Sequence, residues 1–406
     1  MKIKLNKNAA VFISIFLTVL ITVCIVTTYD AQMYVIGSTS GTRREDQNNN
    51  DRSNGPVVVV GPNNSGPNSV GPNSTIPNVA GNNNSGSFNS VGGFFTNPLT
   101  GMATMTDISN NRPLAFSVSN QRGALPTNAT NGISQADIIY EVLVEGGITR
   151  FVALYQDITN VGVIGSIRSA RHYTVQLAEA YDAIFLHAGG SPLGYEEIEN
   201  REITNLDEVS GLRAQSFRRD IHRIPGHTVL QYHSCVTSGA GLSQWLPRYD
   251  IRRTHEFGYS RRLSFTDNPI PHGQRAGEVG IKFSAAKDSI FIYDGPLNLY
   301  FMAQFESFFT DANNGAPVTF SNLLIIEIPI SDLVGHGEGA GRQDMSTVGR
   351  GMGYYMSEGR FVRIYWHRLD KSSQFVYTYE NGQEIELGRG KTYIGIVPDI
   401  SNVFIT

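Results

Sequence analysis

The chain has 406 residues, enough for two domains of ordinary size once any tether is subtracted. Lys and Arg total 32 against 36 Asp and Glu, and the net charge of −4 excludes the global basic field that drives nucleic-acid binding.

Ala9 to Thr28 carries no charged residue and is dense in Val, Ile, Leu and Phe, which supplies the roughly 20 apolar residues that a bilayer-spanning helix needs. Lys2, Lys4 and Lys7 precede this run and Asp30 follows it. Residues 1–30 are therefore expected to anchor the chain in a membrane, N-terminus cytoplasmic and folded part extracytoplasmic. An uncleaved anchor is favoured, because no small-residue cleavage site follows Tyr29. Lipidation at Cys24 is the rival, although Val23 stands where Gly, Ala or Ser normally precedes the modified Cys. Cys24 and Cys235 are the two cysteines. With Cys24 inside the apolar span no disulfide between them is expected, and Cys235 reads as a packed hydrophobe.

Residues 31–93 shift to Asn, Gly, Ser and Pro, with imperfect repeats such as Gly66-Pro67-Asn68-Ser69 and Gly71-Pro72-Asn73-Ser74. Such a segment buries too little apolar area to offset its chain entropy, so it reads as a disordered tether. Its root-mean-square reach is roughly 40 Å, from the square-root scaling of flexible linkers.

Folded sequence resumes near residue 97. Leu114 to Ser119, Ile138 to Val144 and Arg150 to Tyr155 read as strands, the last two joined by the turn Glu145-Gly146-Gly147. Ala170, Tyr173, Leu177 and Ala180 fall at helical spacing, which predicts a helix over 169–180. A buried strand over 183–188 then runs into Gly189-Gly190-Ser191-Pro192, where Ser191 suits a helix cap and Pro192 the first helical position. Strand, helix, strand, helix implies an α/β domain over 97–250. Beyond an arginine-bearing stretch, β-favouring runs between turn signals imply a mostly antiparallel β domain over 278–400, α+β overall.

Two strand-to-helix junctions are chemically loaded. The first, Gly165 to His172, brings Arg168, Ser169 and Arg171 to a helix start, where free N–H groups, the helix dipole and guanidinium forks all favour an anion. The second is His187-Ala188-Gly189-Gly190-Ser191. If both lie at the carboxyl edge of one sheet, they converge on one pocket together with Arg150. Arg218, Arg219, Asp220, His222, Arg223 and His227 read most simply as a solvated loop. Asp137, Glu141 and Glu145 are spaced four apart, but nothing fixes them as a catalytic carboxylate pair. No metal signature is present and no cofactor is expected.

Pro98-Leu99-Thr100-Gly101, Gln135 to Glu141, Gly146 to Phe151 and Ile164 to Arg171, with Gly351 to Tyr355, Trp366-His367 and Gly390 to Pro398, together resemble the YerB-like family of bacterial lipoproteins. The resemblance spans nearly all of residues 97–398 and implies an envelope-facing, two-domain protein; it implies no particular activity. The family's Ala-Pro-His-Asn is replaced here by Ile224-Pro225-Gly226-His227.

The favoured reading is a binding module that holds an anionic or polar cell-envelope ligand, such as a wall glycan or a carboxylate-bearing peptide. Its expected ligand set is Arg150, Arg168, Ser169, Arg171, His187, Gly189, Gly190 and Ser191. An envelope hydrolase or transferase is the alternative, with His187 or His227 as base, Asp220 as a further candidate, and Arg168 or Arg171 stabilising an oxyanion. A scaffold that recruits another envelope protein through the β domain is the third reading.

Overall fold

The computed structural model describes residues 95–260, 263–270, 272–333 and 341–406. The expected anchor (1–30) and tether (31–93) lie outside the described residues. No helix among the described residues is long and apolar enough to cross a membrane.

Strands dominate, with three short α-helices among the described residues. In chain order the principal elements of the first half are β1 (Leu114–Asn120), β2 (Ile138–Leu143), β3 (Thr149–Tyr155), β4 (Val163–Gly165), α1 (His172–Glu179), β5 (Ile184–His187), α2 (Pro192–Asn200), β6 (Asn205–Asp207), β7 (Cys235–Ser238) and α3 (Gly239–Trp245). Those of the second half are β8 (Glu278–Lys282), β9 (Asp288–Asp294), β10 (Leu299–Gln304), β11 (Asn322–Glu327), β12 (Gly349–Ser357), β13 (Arg360–Arg368), β14 (Thr392–Val397) and β15 (Val403–Ile405).

The hairpin expected around Glu145 is present, with β2 and β3 antiparallel and Ile138 opposite Leu154. Gly146 and Gly147 take φ of +71° and +69°, the left-handed conformation that glycine reaches without a Cβ penalty. Ser191 caps α2, its hydroxyl accepting from Gly194 N at 3.1 Å, and Pro192 opens the helix. By contrast α1 starts at His172 rather than Ser169. The backbone of 168–170 is already committed to the segment after β5: Ala188 N donates to Arg168 O (3.0 Å) and Ala170 N to Gly189 O (2.8 Å).

The strand–helix–strand–helix succession β4, α1, β5, α2 exists, but β4 lies in a separate three-stranded sheet beside β7. The main sheet is mixed. β1, β5 and β6 are parallel neighbours, whereas β1–β3 and β3–β2 are antiparallel.

Both halves of the chain build that sheet of 11 strands, whose order runs β13, β12, β11, β14, β2, β3, β1, β5, β6 with short edge segments. The seam is β14. Tyr393 pairs in parallel with Leu323 of β11 on one side and with Ile139 of β2 on the other. Strand alternation divides the core into two layers. Phe116, Val118, Phe151 and Tyr155 face Phe291, Phe320 and Tyr393 and the six-stranded sheet of β8, β9, β10 and β15. Val152, Leu154, Tyr140 and Ile394 face α1, whose Tyr173, Val175 and Leu177 are fully buried. Each such large apolar side chain stabilises by about 2 kcal/mol on burial.

One buried charge sits at the seam. Glu141 of β2 has no exposed surface and accepts from Asn120 Nδ2 (2.8 Å), Thr149 Oγ1 (2.6 Å), Ser289 Oγ (3.0 Å) and Tyr393 OH (2.7 Å). Lys287 Nζ, from the turn before β9, lies 3.0 Å from Glu141 Oε1 and also donates to Ser289 Oγ at 2.6 Å. Burial pulls the Lys287 ammonium down and Glu141 opposes that. Both oxygens of this carboxylate meet at least two donors, which a buried ion pair requires if it is to hold.

Candidate functional site

Three segments converge at the end of the β2–β3 hairpin. Register places Arg150 of β3 opposite Ser119 of β1. The chain leaving β4 crosses the same edge, held by Arg168 N to Ser117 O (2.8 Å) and Ile167 N to Cys235 O (2.8 Å). The segment after β5 pairs alongside it, with Ala170 and Gly190 bridged in parallel. The two glycine-bearing junctions are therefore neighbours, although they belong to different sheets. Gly189 takes φ of +72° and its N–H donates to Asp207 Oδ1 at 2.8 Å. A Cβ on Gly190 would lie 3.1 Å from the Tyr195 ring, so the bare glycine leaves room for that ring.

The charges at this edge do not balance. Arg171, 5% exposed, embraces Glu145: its Nε lies 3.1 Å from Oε2, its Nη2 contacts Oε1, and its Nη1 donates to Ala170 O at 2.8 Å. Arg150, 3% exposed, donates Nη1 to Ser169 O at 2.7 Å, and its nearest carboxylate contact among the described residues is Glu145 at 3.8 Å. Arg168 donates Nη1 to the Tyr232 carbonyl and stands 5.7 Å over that residue's ring.

Burial first, and then the neighbouring Arg171 and Arg168 charges, pull the Arg150 guanidinium down to about 9 against the pull of Glu145. Burial likewise lowers Arg168; Glu145 opposes the shift and Arg171 adds to it. At Glu145 burial works against ionisation, but the Arg171 hydrogen bonds and the Arg150 charge outweigh it and hold the carboxyl at about 2. Two guanidiniums thus share one carboxylate, and Arg168 lies near enough to feel its charge. Arg219 is also close enough to lower Arg168, but it has its own partner, Glu208, at 2.8 and 2.5 Å.

The other expected residues do other work. His187 is fully buried and stacked on Phe185; Nδ1 bonds Gly189 O at 2.8 Å and Nε2 faces Asn205 Oδ1 at 3.2 Å. Both ring nitrogens thus face oxygens of the junction itself. The Ser191 hydroxyl is likewise engaged as the α2 cap. Asp220 accepts from His222 N at 3.0 Å and lies 3.5 Å from Arg218, while His227 is exposed, so that loop holds itself together without assembling a nucleophile and base.

Arg223 departs from the solvated-loop expectation. It is 5% exposed and donates to His233 O (2.9 Å) and Asn131 Oδ1 (3.0 Å), and burial pulls it down to about 10. Asp137, Glu141 and Glu145 serve three separate places. Asp137 accepts from Asn97 Nδ2 and Gln156 N, and burial pushes it up to about 6. Burial also pushes the Cys235 thiol up to about 12, in keeping with a packed hydrophobe.

Sequence reasoning missed Glu145 as the partner of Arg171, together with Tyr232 and His233. His233 is fully buried and neither ring nitrogen has a hydrogen-bond partner; burial, with Arg168 and Arg223, pulls it down to about 4. Tyr232 is 53% exposed, an aromatic face beside Arg168. A cavity of about 510 Å³ lies elsewhere, against β8, β9 and β15, lined by Lys282, Asp288, Ile290 and Phe404; none of the three arginines lines it.

Residues 99–243 match the family model described as Protein of unknown function (DUF3048) N-terminal domain, and residues 279–394 match that of the DUF3048 C-terminal domain. The chain is 26% identical over 317 residues to "Putative lipoprotein YerB" of Bacillus subtilis (strain 168), covering 76% of this chain and 88% of that protein. The crystal structure of the YerB protein from Bacillus subtilis superposes with a TM-score of 0.65 at 26% identity, covering 77% of this chain and 99% of that one. The chain belongs to the YerB-like family, built from the N- and C-terminal DUF3048 domains.

Proposed function

We propose that this protein is a membrane-anchored extracytoplasmic binding module that seats an anionic group of a cell-envelope component at the edge formed by Arg150, Arg168 and Arg171. One observation carries the reading. Arg150 is a nearly fully buried guanidinium that shares the single carboxylate of Glu145 with Arg171, while Arg168 lies close by without a carboxylate contact among the described residues. Burying a charge whose pairing is incomplete is costly, and an anion placed at this edge would complete the pairing. Ser169 and the Gly189-Gly190 junction line the same edge, and the exposed Tyr232 ring beside Arg168 offers a flat apolar face to the rest of the ligand.

The extracytoplasmic placement is supported by the similarity to a protein named as a lipoprotein. It is also supported by the lysines ahead of the apolar run Ala9 to Thr28, whether that run remains as an anchor or Cys24 is lipidated. The test is co-sedimentation of the full chain with purified cell-wall material. Arg168→Ala and Arg150→Met should each lose retention at least tenfold with the fold intact by circular dichroism. Retention equal to wild type in both variants overturns the proposal.

A further inference from the structure

The structure assigns Glu145 a role as resident stand-in for the ligand: the site takes a doubly charged anion of the phosphate-ester class, which enters by displacing the Glu145 carboxylate from Arg171. This rests on the arginine edge being an anion site and goes on to name what the site selects.

Glu145 fills the fork of Arg171 and points its Oε1 at Arg150 from 3.8 Å, so it occupies the point where two buried guanidiniums converge. Forked recognition of a carboxylate and of a phosphate uses the same guanidinium donors. The two sides of this contact differ in fixity. Arg150 is tied to Ser169 O and Arg171 to Ala170 O, with side chains only 3% and 6% exposed, whereas the Glu145 side chain is 34% exposed. Glu145 opens a turn continued by Gly146 and Gly147, both at positive φ, and nothing lies within 4 Å of where a Gly146 Cβ would be. The acid can leave by rotating about its own side-chain bonds while the cations stay in place.

Replacing Glu145 by a ligand monocarboxylate is an even exchange and leaves the excess of guanidiniums as it was. A phosphate monoester brings a second negative charge to the same donors, so the resident acid acts as a filter that rejects singly charged competitors.

Isothermal titration of the full chain in a neutral detergent at pH 7.5, with inorganic phosphate and with acetate, tests this. Wild type should bind phosphate and not acetate. Glu145→Gln should bind phosphate at least tenfold more tightly and gain acetate binding. Glu145→Asp, whose carboxylate is one methylene short of the fork, should fall between them and carries the same comparison if the Gln variant does not fold. Phosphate affinity that is unchanged or weaker in both variants overturns the displacement and leaves the arginine edge as an anion site. No phosphate binding by wild type or variant overturns the anion site itself. Tighter binding of dihexanoyl phosphatidic acid than of glycerol 3-phosphate would assign the group to a lipid headgroup, and the reverse to a soluble or polymer-borne ester.

Discussion

Two buried cations in this molecule are treated in opposite ways. Lys287 meets a carboxylate at 3.0 Å, and that carboxylate, Glu141, is saturated by four further donors from both halves of the chain. Arg150 is buried as deeply, yet its nearest carboxylate contact is at 3.8 Å and that carboxylate belongs first to Arg171. A buried charge whose partners are complete has a structural job, because any further ligand would have to break what already satisfies it. A buried charge left short of partners points to something that arrives from outside. The difference between the two cations is thus the strongest reason for placing a ligand at one and none at the other.

The comparison breaks most readily at the hub. Lys287→Met strands Glu141 without a cation and should cost on the order of 3–5 kcal/mol, read from the midpoint of urea unfolding. Adding Glu141→Gln to Lys287→Met should restore most of that loss, since both charges are then gone. A single variant within 1 kcal/mol of wild type, taking that as about the size of one ordinary hydrogen bond, would erase the distinction.

At the arginine edge the same kind of change should be mild. Arg150→Met leaves Glu145 with Arg171 and removes one donor from Ser169 O, so stability should move by about 1 kcal/mol in either direction, while anion retention is lost. A loss as large as that of Lys287→Met would make Arg150 structural.

A smaller effect lies in acid. Glu145 is held at about 2 in the fold against 4.5 as the ordinary value, so the folded state binds its proton less readily than the unfolded chain. The stabilisation it contributes is complete above the ordinary value and is lost as pH falls towards about 2. It is reduced by solvent screening, because the side chain is a third exposed. Glu145→Gln should flatten that part of the acid limb in a pH series of melting curves; an unchanged limb would show that Glu145 does not feel the arginines. Smallest of all, His227→Ala and Asp220→Asn should leave both melting temperature and ligand retention as in wild type. A change in retention there would extend the site to the 218–228 loop.

What could be read from the sequence was local. The β2–β3 hairpin follows from alternation around Glu145-Gly146-Gly147, and α2 from the Ser191 cap and Pro192, because both signals act within a few residues. The arginines were visible as residue types at glycine-bearing junctions. Their shared counter-charge was not, because Glu145 reaches Arg171 across the hairpin end and no sequence spacing encodes that. Lys287 gave no sign either: a lysine in a turn after Ala285 and Ala286 looks solvated until Phe283 and Phe305 are found packed around its ammonium. The late start of α1 has the same origin, a long-range backbone pairing of 168–170 that competes with helix formation.

The placement of β14 has a consequence for how the protein is made. Tyr140 of β2 pairs with Ile394 of β14, far along the chain, and until β14 docks the apolar edge of β2 has no neighbour on that side. An open hydrophobic strand edge invites pairing with other chains. A product that lacks residues 392–397 leaves the facing edges of β2 and β11 unpaired and is expected to aggregate.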